Sequence, residues 1–272
     1  MLAVIPFGLA VAVWSSWVGD SAVLKGRALA VTAGLTSDSA RIRAINDWVY
    51  NNQGFDANDR FFILPVLGPT PVQVLESGGD CSDKSRLVSA LLRELGIESG
   101  LVMIFPCRDC VPIHTLVEAQ YENGRMVVDP IWHIDYPAAD EKFLGIRDLA
   151  GTSLGREHLA QLQAERGPAD KIRSMPDSEA TFDFAKPLNW DKNSVTRLTA
   201  YGVTLLGYDP AQLFRPYFLE DPKLALTLVL VVIAVMIIAA SFALGFVLPA
   251  AAARLHVLVG QASSSISSSR ST

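Results

Sequence analysis

The sequence predicts an α+β domain that is tethered to a membrane, and two patterns support this prediction. Between residues 36 and 137, segments with helical periodicity come first and three strand-like runs follow. Near the end of the chain, residues 224–248 contain no charge. A helix of about 20 apolar residues crosses a hydrocarbon core of roughly 30 Å, so this segment is predicted to be a transmembrane helix.

The charges are confined to the middle of the chain. The protein has 272 residues, with 28 acidic and 23 basic side chains and a net charge of −5. None of these charges falls in residues 1–19 or 224–253. The uncharged ends exclude an ordinary cytosolic protein, and the acidic middle excludes a nucleic-acid binder because no basic stripe would neutralise phosphates.

We predict different structures for the two ends of the chain. Residues 1–19 are apolar and are expected to be either an anchor or a signal segment; we favour a retained anchor because no Lys or Arg precedes the apolar run. Residues 254–272 are rich in serine and are expected to be disordered. The aromatic side chains of residues 209–222 suit a membrane interface. We expect the domain between the ends to lie on the extracytoplasmic side.

Helix-capping signals mark the elements of the predicted core, residues 36–137. A helix is expected over 36–52 after capping residues that include Ser37, and a short one over 70–77 behind Thr70. A third helix starts after Asp80 and ends near Gly96.

Three strands are expected next, over 100–105, 114–120 and 125–129. The Asn123-Gly124 pair between the last two predicts a hairpin. Residues 138–221 are expected to be a helical extension, with helices near 139–149, 154–166 and 194–206.

Cys81 is the residue that most strongly indicates chemistry. It lies in the first turn of the third helix, where unpaired N–H groups favour a thiolate. Gly78 and Gly79 precede it and are expected to let a substrate approach the backbone. A nucleophilic sulfur needs a base and a group that orients the base. His114 opens one strand of the hairpin and Asp129 ends the other, so both are expected at its open end.

These motifs resemble the transglutaminase-like superfamily. The resemblance is carried by T-P-V-Q-V-L-E-S-G-G-D-C-S-D-K-S-R-L, by L-L-R-E-L-G-I, and by the later H-T-L-V-E and V-V-D-P. It covers roughly residues 36–137 and implies a papain-like core of helices and a small antiparallel sheet. It also implies Cys81 as nucleophile, His114 as general base and Asp129 as the residue that orients it. The backbone N–H of Cys81 would then help to hold the oxyanion.

Other assignments stay open for several residues. Cys107 and Cys110 are expected to form a disulfide; a zinc site completed by His114 and His133 is the weaker alternative. His133 is a rival base, for which we favour a structural role. One of the polar residues 51–53 is a candidate oxyanion donor, although surface capping is the favoured role. The two tryptophans of the core and the extension, Trp132 and Trp190, are expected to pack.

The first functional hypothesis is a thiol enzyme that acts on peptide or amide bonds through a thioester, by hydrolysis more than by crosslinking. It requires neither cofactor nor metal, and its partners would be a peptide or protein substrate and the lipid bilayer. The second hypothesis is a non-catalytic binding module in a membrane assembly, whose groove holds a peptide or a membrane protein. The third is a thiol–disulfide protein that uses Cys107 and Cys110.

Overall fold

The computed structural model describes residues 3–55, 60–107, 110–138, 142–167, 182–187, 190, 194–210, 213 and 216–243. Contacts group the chain into two compact units. One unit is Ser16–Ala225 and holds the sheet. The other draws on Met1–Ser15 and Leu226–Thr272, of which residues 3–15 and 226–243 are described.

The described part of the chain contains helices and one small sheet. The helices are α1 (Val4–Val31), α2 (Asp38–Asn51), a 3₁₀ turn (Pro65–Leu67), α3 (Pro71–Ser77), α4 (Cys81–Glu94), α5 (Ile146–Leu149), α6 (Leu154–Arg166), α7 (Ser194–Leu205), α8 (Tyr217–Glu220) and α9 (Pro222–Ala243). The strands are β1 (Ser99–Ile104), β2 (His114–Tyr121), β3 (Gly124–Asp129) and β4 (Ile134–Asp135).

The helices of the core begin where the capping residues predict. Ser37 accepts a hydrogen bond from the backbone of Ala40, and Thr70 forms a reciprocal capping box with Gln73. The carboxylate of Asp80 accepts from the backbone N–H of Asp83 at 3.0 Å. Each contact satisfies an N–H group that the first turn of a helix leaves without an intrahelical partner.

The sheet is an antiparallel meander in the order β1-β2-β3-β4. Tyr121 pairs with Gly124, so the predicted hairpin turns through two residues. Strand β4 was not predicted from the sequence because it has only two residues and no alternation to read.

Both faces of the sheet are covered. Side chains on one face, such as Val117 and Val128, pack with α2 and α4 in one core cluster. Their neighbours on the other face, such as Leu116 and Val127, pack with residues of α5 and α6. The α+β class with helical additions is therefore confirmed, and α6 coincides with the predicted helix over 154–166.

Within the residues that the structure describes, two helices are long and apolar enough to cross a membrane: Val4–Val31 and Pro222–Ala243. Most of their apolar side chains are exposed, so α9 is a candidate span; residues 244–248 of the predicted one lie outside the described part. The first helix continues well past residue 19, because Leu24 and Ala28 of its second half are buried in the core cluster with Ile42. The charges of Asp20 and Lys25 hide this packing from the sequence pattern.

Candidate active site

Cys81 is the first residue of α4 and is partly buried. The two glycines before it serve packing, which corrects the expectation that they open the backbone to substrate. A Cβ on Gly78 would lie 2.5 Å from the carbonyl oxygen of Gly54, and one on Gly79 would lie 2.6 Å from Cβ of Asp83. Since such contacts are too short for real side chains, only glycine lets the chain pass closely enough to present Cys81.

His114 and Asp129 meet at the open end of the β2–β3 hairpin. Nε2 of His114 lies 2.6 Å from Oδ2 of Asp129, and both side chains are buried. The second carboxylate oxygen accepts hydrogen bonds from the backbone N–H groups of Ile131 and Trp132 at 2.8 and 3.2 Å. The carboxylate is therefore held from both sides, as a buried charge requires.

The side chain of Cys81 also interacts with the imidazole of His114 and contributes to its pKa. Burial on its own would lower the pKa of His114. The charge and hydrogen bond of Asp129, with smaller contributions from Cys81, outweigh burial and raise that pKa to about 9. The structure thus brings His114 and Asp129 together in a hydrogen bond, and Cys81 lies on the same cavity as His114.

Cys81 and His114 line an open cavity of about 560 Å³. This volume falls within the range of small-molecule and peptide sites. Trp132 packs edge-on against the His114 ring, with 4.1 Å between ring centroids. The other lining residues are Tyr50, Asn51, Gln53, Gly54, Phe55, Lys84, Ile113 and Ile131.

Lys84 of α4 also lines the cavity, and it binds the end of α2 on the opposite wall. This residue was not singled out from the sequence. Its ammonium donates to the backbone carbonyls of Val49, Tyr50 and Gln53 at 3.0, 3.2 and 3.0 Å. Carbonyls at the end of a helix lack intrahelical partners, so a buried cation there is stabilising. The spacing of Lys84 could have indicated this position, because a residue three places after Cys81 lies on the same side of α4.

His133, the rival base, lies outside the residues that line this cavity. Its Nε2 is 3.0 Å from a carboxylate oxygen of Asp47, and its ring stacks on Tyr50 at 4.8 Å. Its backbone has a positive φ of 53°. The guanidinium of Arg166 in α6 donates to the carbonyls of Trp132 and His133 at 2.7 and 2.5 Å. These contacts fit the structural role favoured for His133.

Cys107 and Cys110 form a disulfide, as expected. Both sulfurs are engaged in that bond, which removes them as zinc ligands. The bridge lies in the connection from β1 to β2, ahead of His114. The free thiol of the chain is therefore Cys81.

The polar residues 51–53 divide between two roles. Asn52 donates to the carbonyl of Leu75 at 2.9 Å and is structural. Asn51 and Gln53 line the cavity, although the Asn51 amide also donates to Asp47. Trp190 donates to the carbonyl of Pro210, in keeping with a packing role in the extension.

Comparison with known proteins finds a family model that part of the chain matches. Residues 25–130 match the family model of the transglutaminase-like superfamily. A search of curated proteins found no match. Over those residues the chain is therefore similar to the transglutaminase-like superfamily.

Two solved structures are similar to part of the chain. One is described as a "putative cysteine protease" from Cytophaga hutchinsonii, with 22% identity over 42% of this chain and 38% of that one, and a TM-score of 0.35. The other is described as a "putative protease" from Parabacteroides distasonis, with 18% identity over 39% of this chain and 22% of that one, and a TM-score of 0.32. The chain thus spans well under half the length of either protein.

Proposed function

We propose that this protein is a membrane-anchored thiol enzyme that acts on peptide or amide bonds through a thioester intermediate. Cys81 is the nucleophile, His114 the general acid and base, and Asp129 the group that orients the imidazole. The observation that carries the proposal is the buried His114–Asp129 pair, whose imidazole lines one cavity with Cys81 and interacts with its side chain. Since fold alone does not establish activity, the proposal rests on these three side chains.

The chemistry follows from the charge of each group. A cation beside a thiol favours the thiolate, and the raised pKa of His114 keeps the imidazole protonated at neutral pH. The sulfur attacks the substrate carbonyl, and the tetrahedral intermediate collapses as the C–N bond breaks. His114 gives its proton to the departing amine, which leaves an acyl group on Cys81 as a thioester.

The second half of the reaction releases the acyl group. Water or an amine attacks the thioester carbonyl, His114 accepts the proton of the nucleophile, and the C–S bond breaks. Water yields a carboxylic acid and an amine yields a new amide. We favour water because the cavity is open to solvent, and Asp129 stabilises the imidazolium in both halves.

Alkylation of Cys81 tests this proposal in the full chain, held in detergent or native membranes. Iodoacetamide is expected to label Cys81 at pH 7 faster than it labels a free cysteine peptide, and the His114→Ala variant should slow labelling. The matched control is His133→Ala, which should leave the rate unchanged. Equal rates in the wild type, both variants and the free peptide would contradict the enzyme and favour the non-catalytic binding module.

Membrane attachment is part of the proposal. The candidate spans Val4–Val31 and Pro222–Ala243 support it, and the Cys107–Cys110 disulfide supports an extracytoplasmic domain because such bonds persist in oxidising compartments. The full chain should stay in the membrane pellet after alkaline carbonate extraction. Protease added outside intact cells or spheroplasts should reach the domain. Release of the chain by carbonate would contradict membrane anchoring. Protection of the domain from the protease would contradict its extracytoplasmic location.

A further inference from the structure

Two exposed apolar side chains flank the cavity that holds Cys81 and His114. Phe55 is 58% exposed and follows the end of α2; Ile113 is 41% exposed and directly precedes His114. Both line the cavity. Large apolar side chains left in contact with water beside a nucleophile are typical of a surface that a ligand covers.

The backbone holds both side chains in place. Phe55 forms a parallel bridge with Gly79, next to the turn that presents Cys81. The N–H of Ile113 donates at 2.9 Å to the carbonyl of Ile104, the residue that pairs with His114 at the end of the β1–β2 ladder. The apolar walls are thus fixed relative to the two reactive side chains, and binding a ligand between them costs little reorganisation.

The charges around the cavity agree with an apolar ligand. None of the lining residues that the structure describes is acidic. The ammonium of Lys84 is bound by three carbonyl oxygens at the end of α2. A charged group entering the cavity would lose water, while the cations on these walls, Lys84 and His114, already have partners in the protein, so its burial is unfavourable.

From this geometry we infer that the site selects acyl donors with a bulky apolar side chain next to the reacting carbonyl, and that Phe55 and Ile113 are the residues that select it. The inference rests on the proposed function, because it names the substrate class of the same site. Apolar pockets of this kind discriminate between side chains of different size by roughly tenfold or more.

Peptidyl acyloxymethyl ketones test the inference on the full chain. The Cys81 thiolate displaces the carboxylate of such a probe and forms a stable thioether, so mass spectrometry gives the second-order rate of modification. Four probes differ only in the side chain next to the ketone: Phe, Gly, Glu or Lys. We expect the Phe probe to react roughly tenfold or more faster than each of the other three.

Substitutions of Phe55 and Ile113 test whether these two residues cause the preference for the Phe probe. Phe55→Ala and Ile113→Ala should each reduce the ratio of the Phe rate to the Gly rate severalfold, and Phe55→Leu should restore part of it. Because each ratio is taken within one variant, a loss of folded protein does not change it. The matched controls are Phe61→Ala and Val111→Ala, which remove exposed apolar side chains outside the cavity lining and should keep the wild-type ratio.

Three outcomes would overturn the inference: equal rates for the four probes, faster reaction of the Glu or Lys probe, or a ratio unchanged by both wall variants. These outcomes are separable from failure of the proposed function. If iodoacetamide labelling still depends on His114 while the probes show no apolar preference, the enzyme stands and the substrate class is wrong. If labelling does not depend on His114, the proposed function itself fails.

Discussion

Two histidine–aspartate pairs lie close together in the chain and differ in almost everything but residue type. In the pair of His114 and Asp129 the side chains are 2% and 0% exposed, and their nitrogen and oxygen are 2.6 Å apart. In the pair of His133 and Asp47 the side chains are 40% and 56% exposed, and the distance is 3.0 Å. The first pair connects two strands, and the second connects a turn to α2.

The two histidines differ in their exposure to water and in their neighbours. Burial alone would lower the pKa of His114, but the charge and hydrogen bond of the buried Asp129 carboxylate, with smaller contributions from Cys81, outweigh it and raise that pKa to about 9. The exposed pair is screened by solvent, and such pairs contribute little to stability. His114 also reaches a sulfur, whereas His133 reaches an aromatic ring, Tyr50. The same two residue types form a buried pair beside a cavity in one place, where we propose chemistry, and hold a turn in the other.

The largest effect should come from removing each histidine and measuring turnover. With a peptide substrate of the apolar class proposed above, His114→Ala should reduce kcat/KM by roughly 10²–10⁴-fold, the usual contribution of general acid–base catalysis. His133→Ala should change it by less than about threefold. Similar losses in both variants would remove the distinction between the two pairs.

The next effect concerns stability. Asp129→Ala leaves a buried imidazole without its partner and should lower the free energy of unfolding by roughly 3–5 kcal/mol. Asp47→Ala breaks the exposed pair and should cost at most about 1 kcal/mol. Chemical denaturation followed by circular dichroism measures both, with the full chain in the same detergent. A comparable small loss in the two variants would show that burial of His114 is not costly.

The pH dependence of stability should separate the pairs as well. Because the folded-state pKa of His114 is raised from 6.5 to about 9, its contribution is fully present below pH 6.5 and is lost as the pH rises through 9. The free energy of unfolding should therefore fall by roughly 3 kcal/mol over that window. His114→Gln should flatten this part of the curve and His133→Gln should not. A wild-type curve that stays flat from pH 6.5 to 9 would contradict the buried ion pair.

A smaller effect should follow from loosening the turn between the two pairs. Arg166 binds the carbonyls of Trp132 and His133, so Arg166→Ala should cost roughly 1–3 kcal/mol of stability, as expected for hydrogen bonds from a charged group. It should also reduce turnover, since this turn supplies the N–H groups that hold Asp129. Arg156→Ala, an exposed arginine of the same helix, is the matched control. Equal effects of the two variants would show that the contact of Arg166 with the turn does not support the site.

Local signals in the sequence were enough to predict much of the fold. Caps at Ser37, Thr70 and Asp80 marked helix starts, because the capping contact lies within a few residues of chain. The Asn123-Gly124 pair marked the hairpin for the same reason. That hairpin in turn brought His114 and Asp129 into proximity.

The walls of the cavity were not predictable in the same way. Lys84 stabilises the end of a helix more than 30 residues earlier, and Arg166 holds a turn more than 30 residues before it. Neither partner is visible from local pattern, since tertiary packing alone brings them together. Phe55 and Ile113 likewise follow no periodicity. The burial of Leu24 was not predicted either, because it also results from tertiary packing, of α1 in the core cluster.

The coupling between the Cys81 sulfur and the His114 imidazole is the centre of this account, and a proton titration measures it most directly. NMR of histidine side chains in the full chain should follow His114 as the pH rises, in the wild type and in Cys81→Ala. Because Cys81 contributes to the raised pKa of His114, the substitution should lower that pKa. An identical His114 titration in both proteins would show that the sulfur and the imidazole do not interact.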